Sequence, residues 1–170
     1  MTLSYSLSEI DKASDFIFNK IKSKTIFFKG DLGSGKTTLI KNLCFKIGSK
    51  ENISSPTLPI LNIYKYDEQN IYHADLYRIN NLKDLNEIGF FDIINQKSWV
   101  FVEWPDLIIN IIDSPYSIVK ISNEGKQKRK LLIKQLKDDG KLVKIETIKN
   151  KVPYGDRSNT IIEPLLTKQW

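Results

Sequence analysis

The chain has 170 residues, 41% hydrophobic and 27% charged, which is typical of one globular domain with a buried core. A single cysteine excludes an internal disulfide, and together with a single histidine it excludes a zinc site of the Cys/His type. The sequence has no apolar run of membrane length and no signal-peptide pattern, so we predict a cytoplasmic protein without a membrane partner. The net charge of +6 arises in residues 123–170, with 12 Lys+Arg against 6 Asp+Glu, whereas residues 1–122 carry 14 of each; such a basic segment suits either a solvated surface or contact with tRNA.

The first predicted elements alternate between helix and strand. Residues 6–9 have the spacing of a capping box, and apolar residues at helical intervals behind them predict a helix over residues 9–22. Residues 25–28 are apolar and β-prone, which indicates a buried strand. The segment 30–35 is rich in glycine and predicts a loop, and the helical pattern that follows it ends at Gly48.

The second half of the chain predicts a hairpin followed by alternating helices and strands. We expect strands over residues 60–66, 71–75, 99–103 and 117–121. We also expect a partly helical segment over 82–94, broken at Gly89, and a short helix over 107–112. This order predicts an α/β fold with a mostly parallel sheet flanked by helices and one antiparallel hairpin.

One motif carries the functional prediction. Gly-Asp-Leu-Gly-Ser-Gly-Lys-Thr at residues 30–37 matches G-x-x-x-x-G-K-[ST] at every fixed position, which is the phosphate loop of P-loop NTPases. Glycines let the backbone curl so that its N–H groups point at phosphate oxygens, and the helix that follows adds its positive end. Lys36 is expected to reach the β- and γ-phosphates, and the Thr37 hydroxyl to ligate Mg²⁺. The predicted nucleotide-binding residues of this motif are Gly33, Ser34, Gly35, Lys36, Thr37 and Thr38.

Two acidic residues end predicted strands where α/β folds place their ligands. Glu103 follows four apolar residues and is predicted to complete the Mg²⁺ shell together with Thr37. Asp75 ends the strand 71–75 and is the candidate to orient or deprotonate the attacking water, or to complete the metal shell. With Lys36, these two residues form the predicted catalytic set. His73 shares the face of Asp75 and is interpreted as structural.

Four motifs in order resemble the TsaE family. They are the phosphate loop, Ser-Pro-Thr at 55–57, His-Ala-Asp-Leu-Tyr-Arg at 73–78 and Glu-Trp-Pro at 103–105. The resemblance implies a P-loop ATPase that uses ATP and Mg²⁺ and acts with the TsaB and TsaD proteins. TsaD transfers a threonylcarbamoyl group to an adenosine of tRNA, so tRNA would be met indirectly through the complex. The resemblance also places Thr57 in a loop that responds to the γ-phosphate.

A second resemblance begins near the charge boundary. Residues 129–170 resemble an internal segment of valyl-tRNA synthetase, most strongly in Val-Pro-Tyr-Gly-Asp-Arg-Ser at 152–158. We interpret the chain as a P-loop ATPase domain over 1–128 and a basic C-terminal extension over 129–170, joined by gene fusion or by an error of sequence assembly. The segment is too short to carry aminoacylation, while residues 129–134 could replace the last strand of the family's sheet.

Three other functions are compatible with a phosphate loop. A small-molecule kinase needs a basic lid near the phosphates, and residues 1–122 contain a single arginine, Arg78, which argues against it. A GTPase needs an Asn-Lys-x-Asp segment, which the sequence lacks. A non-catalytic, nucleotide-dependent binding module would keep its function after Asp75→Ala.

Overall fold

The computed structural model describes residues 1–56, 59–125 and 127–135. The strands of this part, in chain order, are β1 (Thr2–Ser6), β2 (Thr25–Lys29), β3 (Leu61–Tyr66), β4 (Gln69–Asp75), β5 (Trp99–Glu103), β6 (Ser117–Glu124) and β7 (Lys128–Gln135). The α-helices are α1 (Ile10–Phe18), α2 (Lys36–Ile47), α3 (Leu82–Glu87) and α4 (Phe90–Ile94). Within these ranges no helix is both long and apolar enough to cross a membrane.

All seven strands form one sheet in the order β1-β7-β6-β2-β5-β4-β3. The central strands β6, β2, β5 and β4 are parallel to one another, while β3 pairs antiparallel with β4, and β7 pairs antiparallel with both β6 and β1. The predicted α/β class and the antiparallel hairpin are therefore confirmed. Three of the six strand pairings are parallel, so the sheet is mixed and not mostly parallel as predicted, because hairpins and the N-terminal strand make both edges antiparallel.

The central strands are apolar because both faces of the sheet are covered. Ile26 and Phe28 of β2 point into a core shared with α1 and α2, whereas Phe27 points into the opposite core with α3 and α4. This is the alternation that a strand buried on both faces shows. It holds β2 firmly, and the loop that follows β2 begins from a rigid support.

Local boundaries differ from the sequence predictions at two helices. The helix predicted over 9–22 is α1, from Ile10 to Phe18, preceded by a 3₁₀ turn over Leu7–Glu9 in which Glu9 accepts a hydrogen bond from the Ser6 N–H, as the capping box predicts. The helix predicted over 107–112 is a 3₁₀ turn over Pro105–Leu107 followed by turns. The β-branched isoleucines that follow it have low helix propensity.

The last two strands at one side of the sheet, β1 at the edge and β7 beside it, come from the two ends of the described chain. Strand β1 was not predicted; it pairs with β7, where its buried Tyr5 aligns with Arg129. Strand β7 pairs with β6 along its whole length, from Glu124 opposite Lys128 to Ser117 opposite Gln135. Residues 129–135, which belong to the predicted C-terminal extension, thus lie within the sheet.

Candidate functional site

The predicted site residues meet at the carboxyl ends of the parallel strands in the centre of the sheet. Strand β2 leads into the glycine-rich loop (residues 30–35), which leads in turn into α2. In the register of the sheet, Glu103 at the end of β5 aligns with Phe28 of β2 and with Asp75 at the end of β4. The loop and the two carboxylates therefore lie side by side at the carboxyl ends of the strands, where α/β folds place their ligands.

The glycine-rich loop depends on the lack of side chains at two positions. Gly30 has φ 152°, and a Cβ there would lie 2.3 Å from the carbonyl oxygen of Ile121 on β6. Gly35 has φ 97° and is the residue immediately before α2. L-residues with side chains rarely adopt these conformations, so the two glycines let the loop curl tightly between β6 and α2.

Lys36 opens α2 with its ammonium group turned back over the loop. Its Nζ donates hydrogen bonds to the carbonyl oxygens of Gly30 at 2.8 Å and Asp31 at 3.0 Å, and the side chain is nearly fully buried. The same Nζ lies 4.0 Å from the ring centroid of Trp104, a residue with a positive φ of 56°. Burial lowers the pKa of the Lys36 ammonium, and nearby carboxylates, Glu103 foremost, oppose that shift.

Thr37, Glu103 and His73 form a hydrogen-bonded network in which Thr37 is half-buried and the other two are buried. The Thr37 hydroxyl donates to Glu103 Oε1 at 2.7 Å, and His73 Nε2 lies 3.0 Å from the same oxygen. Glu103 is 3% exposed and His73 is fully buried. A buried carboxylate is stable only with such partners. These two hydrogen bonds fix Glu103 Oε1 beside the first turn of α2.

These oxygen donors are suited to a hard cation. A hydroxyl and a carboxylate are the ligands that Mg²⁺ prefers, and Mg²⁺ commonly takes one or two protein ligands and fills its shell with waters and substrate phosphates. Among the described residues no group of three or more His, Cys, Asp or Glu side chains could hold a metal by itself. Thr37 and Glu103 thus fit Mg²⁺ bound together with a phosphate.

Asp75 lies beside this hydrogen-bonded network, and both of its carboxylate oxygens accept hydrogen bonds. Its Oδ2 accepts a hydrogen bond from the Ser55 hydroxyl at 3.2 Å, and its Oδ1 accepts one from the Tyr77 N–H at 3.1 Å. Each oxygen has a second lone pair that can accept a further hydrogen bond. Asp75 can therefore hold a water molecule while it stays anchored to the Ser-Pro-Thr segment through Ser55.

The comparison with known proteins decides the family. A family model described as "Threonylcarbamoyl adenosine biosynthesis protein TsaE" matches residues 5–131. This chain belongs to the TsaE family. The TsaE of Rickettsia typhi is 35% identical over 124 residues, covering 71% of this chain and 83% of that protein. The TsaE of Borreliella burgdorferi is 31% identical over 121 residues, covering 69% of this chain and 88% of that protein. Both are named tRNA threonylcarbamoyladenosine biosynthesis proteins.

Two further comparisons concern the fold and the C-terminal extension. The crystal structure of Bacillus subtilis YdiB superposes with a TM-score of 0.60 at 20% identity, covering 81% of this chain and 88% of that chain, and shows the same fold. The valine–tRNA ligase of Pelagibacter ubique is 69% identical over 42 residues, which are 25% of this chain and 5% of the ligase. The second resemblance is thereby confirmed, and its length equals that of residues 129–170.

The structure brings together nearly all the site residues predicted for this TsaE-family chain. Gly33 and Thr38 are exposed at the loop and on the first turn of α2, and Ser34 is buried with no hydrogen-bond partner for its hydroxyl among the described residues. Thr57 lies outside the described residues, so its predicted contact with the γ-phosphate stays a prediction. These positions agree with a loop whose backbone, rather than its side chains, faces a ligand.

His73, predicted to be structural, is bonded to Glu103, and the sequence did not predict this bond. The signal was present in the period of two along the strand, because His73 and Asp75 share one face of β4. What the sequence could not supply was the register of β4 against β5, which aligns Asp75 with Glu103 and brings His73 next to that carboxylate.

Proposed function

We propose that this chain is a P-loop NTPase that binds ATP with Mg²⁺, hydrolyses it to ADP and phosphate, and supports threonylcarbamoylation of tRNA together with TsaB and TsaD. The observation that carries the proposal is the hydrogen bond of 2.7 Å between the Thr37 hydroxyl and Glu103 Oε1. It joins the last residue of the nucleotide motif to the acid at the end of the neighbouring strand, which are the two positions that hold Mg²⁺ in P-loop NTPases.

The loop and Lys36 supply the phosphate site. The N–H groups of the curled loop and the first turn of α2 would bind phosphate oxygens, helped by the positive end of the helix. Lys36 Nζ now donates to the carbonyl oxygens of Gly30 and Asp31, and phosphate oxygens would replace these acceptors. A lysine is a compact point charge with three donors, so it can change partners without moving its stem.

Thr37 and Glu103 would hold the metal, and bound Mg²⁺ would neutralise charge on the phosphate oxygens. His73 orients Glu103 through the bond between Nε2 and Oε1, so that the carboxylate does not have to reorganise when the site is filled. This preorganisation fits a site that binds and releases nucleotide repeatedly.

Asp75 is the proposed group for the attacking water. It would accept a hydrogen bond from the water as its oxygen attacks the γ-phosphorus, while the bond from that phosphorus to the bridging oxygen breaks and ADP leaves. The Ser55 hydroxyl joins Asp75 to the segment that contains Thr57. We propose that this segment senses the γ-phosphate and reports it to Asp75.

The partners TsaB and TsaD, indirect contact with tRNA through them, and a cytoplasmic location belong to the proposal as well. They are supported by the family membership and by the names of the relatives, which place those proteins in tRNA threonylcarbamoyladenosine biosynthesis.

The test is phosphate release from ATP by the full chain, alone and with TsaB and TsaD of the same organism. Lys36→Ala is the active-site variant. Lys41→Ala is the matched control, because Lys41 is an exposed lysine on the same helix. We expect release that rises with the partners, disappears in Lys36→Ala and persists in Lys41→Ala. Binding of ATP without release in any mixture would favour the non-catalytic binding module instead.

A further inference from the structure

An arginine from the last strand of the sheet reaches the glycine-rich loop. Arg129 lies on β7 between Tyr5 of β1 and Asn123 of β6. Its Nε donates a hydrogen bond to the carbonyl oxygen of Ser34 at 3.0 Å, across 95 residues of sequence. Arg129 is half-buried, whereas its neighbour Lys130 is exposed and points to the other face.

The contact uses the space that a missing side chain leaves at Gly35. A Cβ on Gly35 would lie 3.2 Å from Arg129 Nε, closer than most Cβ contacts, and 3.7 Å from its Cδ, an ordinary van der Waals distance. The arginine stem therefore packs directly against the backbone that leads into α2. Arg129 and the peptide between Ser34 and Gly35 form one contact, which a larger residue at position 35 would disturb.

The geometry of the peptide bond links this contact to ligand binding. The peptide is planar and trans, so the Ser34 carbonyl and the Gly35 N–H point in opposite directions. A hydrogen bond that holds the carbonyl toward Arg129 holds the Gly35 N–H away from it. In a phosphate loop the N–H groups have to point inward at the phosphate oxygens.

We propose that Arg129 is a positioning residue that holds the peptide between Ser34 and Gly35 with its N–H directed at the phosphates of a bound nucleotide. The inference rests on the proposed nucleotide binding. Glycine rotates freely about φ, so without Arg129 this peptide can turn over. A turned peptide presents the negative end of its carbonyl to phosphate instead of a donor, and the affinity falls.

Three variants of the full chain separate the hydrogen bond from the charge. In Arg129→Gln the amide nitrogen stands as many bonds from the backbone as Nε does, so a donor remains without the charge. Arg129→Met has the same length to that atom but no donor. Lys130→Met removes an equal charge from the next residue of the strand, on the face that does not contact the loop.

The measurement is the dissociation constant for ADP by calorimetry, with the melting temperature of the nucleotide-free protein as the check on folding. We expect Arg129→Met to bind ADP about tenfold more weakly, the loss that one hydrogen bond gives, with Arg129→Gln and Lys130→Met close to wild type. Equal losses in the Gln and Met variants would overturn the proposal and make the charge responsible.

The wild-type chain separates the two failures. If it does not bind ADP, the proposed function fails and the inference fails with it. If it binds ADP and Arg129→Met binds equally well, the inference alone is wrong. Should Arg129→Met not fold, Arg129→Leu gives a second side chain without a donor, and the same comparison with Arg129→Gln applies.

Discussion

Replacing Gly30 with alanine tests how tightly the glycine-rich loop is held against the sheet. The added Cβ would lie 2.3 Å from the Ile121 carbonyl oxygen and 2.8 Å from the Ser34 Oγ. The first of these atoms is backbone inside β6, so it cannot turn aside as the end of a side chain can. Gly30 also has φ 152°, a conformation that alanine rarely adopts.

The two effects add to a large cost. Backbone strain of this kind costs about 1–3 kcal/mol and over-packing about another 1–3 kcal/mol, so the free energy of unfolding should fall by roughly 2–6 kcal/mol. Domains of this size lose about 2–4 °C in melting temperature per kcal/mol, which predicts a drop of roughly 4–24 °C by calorimetry or circular dichroism. The displaced loop should also lose its affinity for ADP.

Gly125→Ala is the matched control. Gly125 has φ 75°, and no described atom lies within 4 Å of the Cβ that alanine would add. Only the left-handed backbone then opposes the change, at about 1–2 kcal/mol. If Gly30→Ala and Gly125→Ala melt within a degree or two of each other, the packing of the loop against Ile121 is not what we describe.

Three further predictions concern the site and the core. Asp75→Asn should lower phosphate release about 100-fold or more while the affinity for ADP stays near wild type, because Asp75 is proposed to act on water; unchanged release would remove it from the chemistry. His73→Ala should raise the Mg²⁺ concentration needed for half-maximal release by about 10–100-fold, since Glu103 loses its orienting partner; an unchanged Mg²⁺ titration would leave His73 a purely structural role. Burial raises the pKa of the Cys44 thiol to about 12, so iodoacetamide at pH 8 should label it only after denaturation, and rapid labelling of the folded chain would contradict its packing. Since unfolding returns this pKa to near 9.0, the stability that the neutral thiol contributes should be lost as the pH rises from there toward 12.

The elements that local pattern determines were predicted from the sequence. The nucleotide motif and the helix after it lie where the residue spacing indicated, and Glu103 and Asp75 both end strands at the same edge. In an α/β fold, a short run of apolar residues that ends in a carboxylate is typical of a buried strand with its acid at the ligand-binding end. The hairpin between β3 and β4 was also predicted from local pattern, namely two strand-like runs and the turn between them.

The features that were missed depend on pairing between distant segments. Strand β1 is five residues long and is completed by β7, about 125 positions later, so no local pattern distinguishes it from an irregular terminus. The contacts of Arg129 with Ser34 and of His73 with Glu103 likewise require the order and register of the strands. Residues 129–134 do form a strand of the sheet, as predicted, but the contact of that strand with the glycine-rich loop does not follow from the sequence.

The central claim is that nucleotide turnover at this site supports the modification of tRNA. Its most direct test is the amount of threonylcarbamoyladenosine formed per TsaD when TsaB, TsaD, tRNA, ATP and a threonylcarbamoyl donor are mixed with the full chain or with Lys36→Ala. We predict many turnovers with the wild-type chain and about one or fewer with the variant. Equal product from both, with ATP binding absent in Lys36→Ala, would contradict a role for the nucleotide site in this pathway.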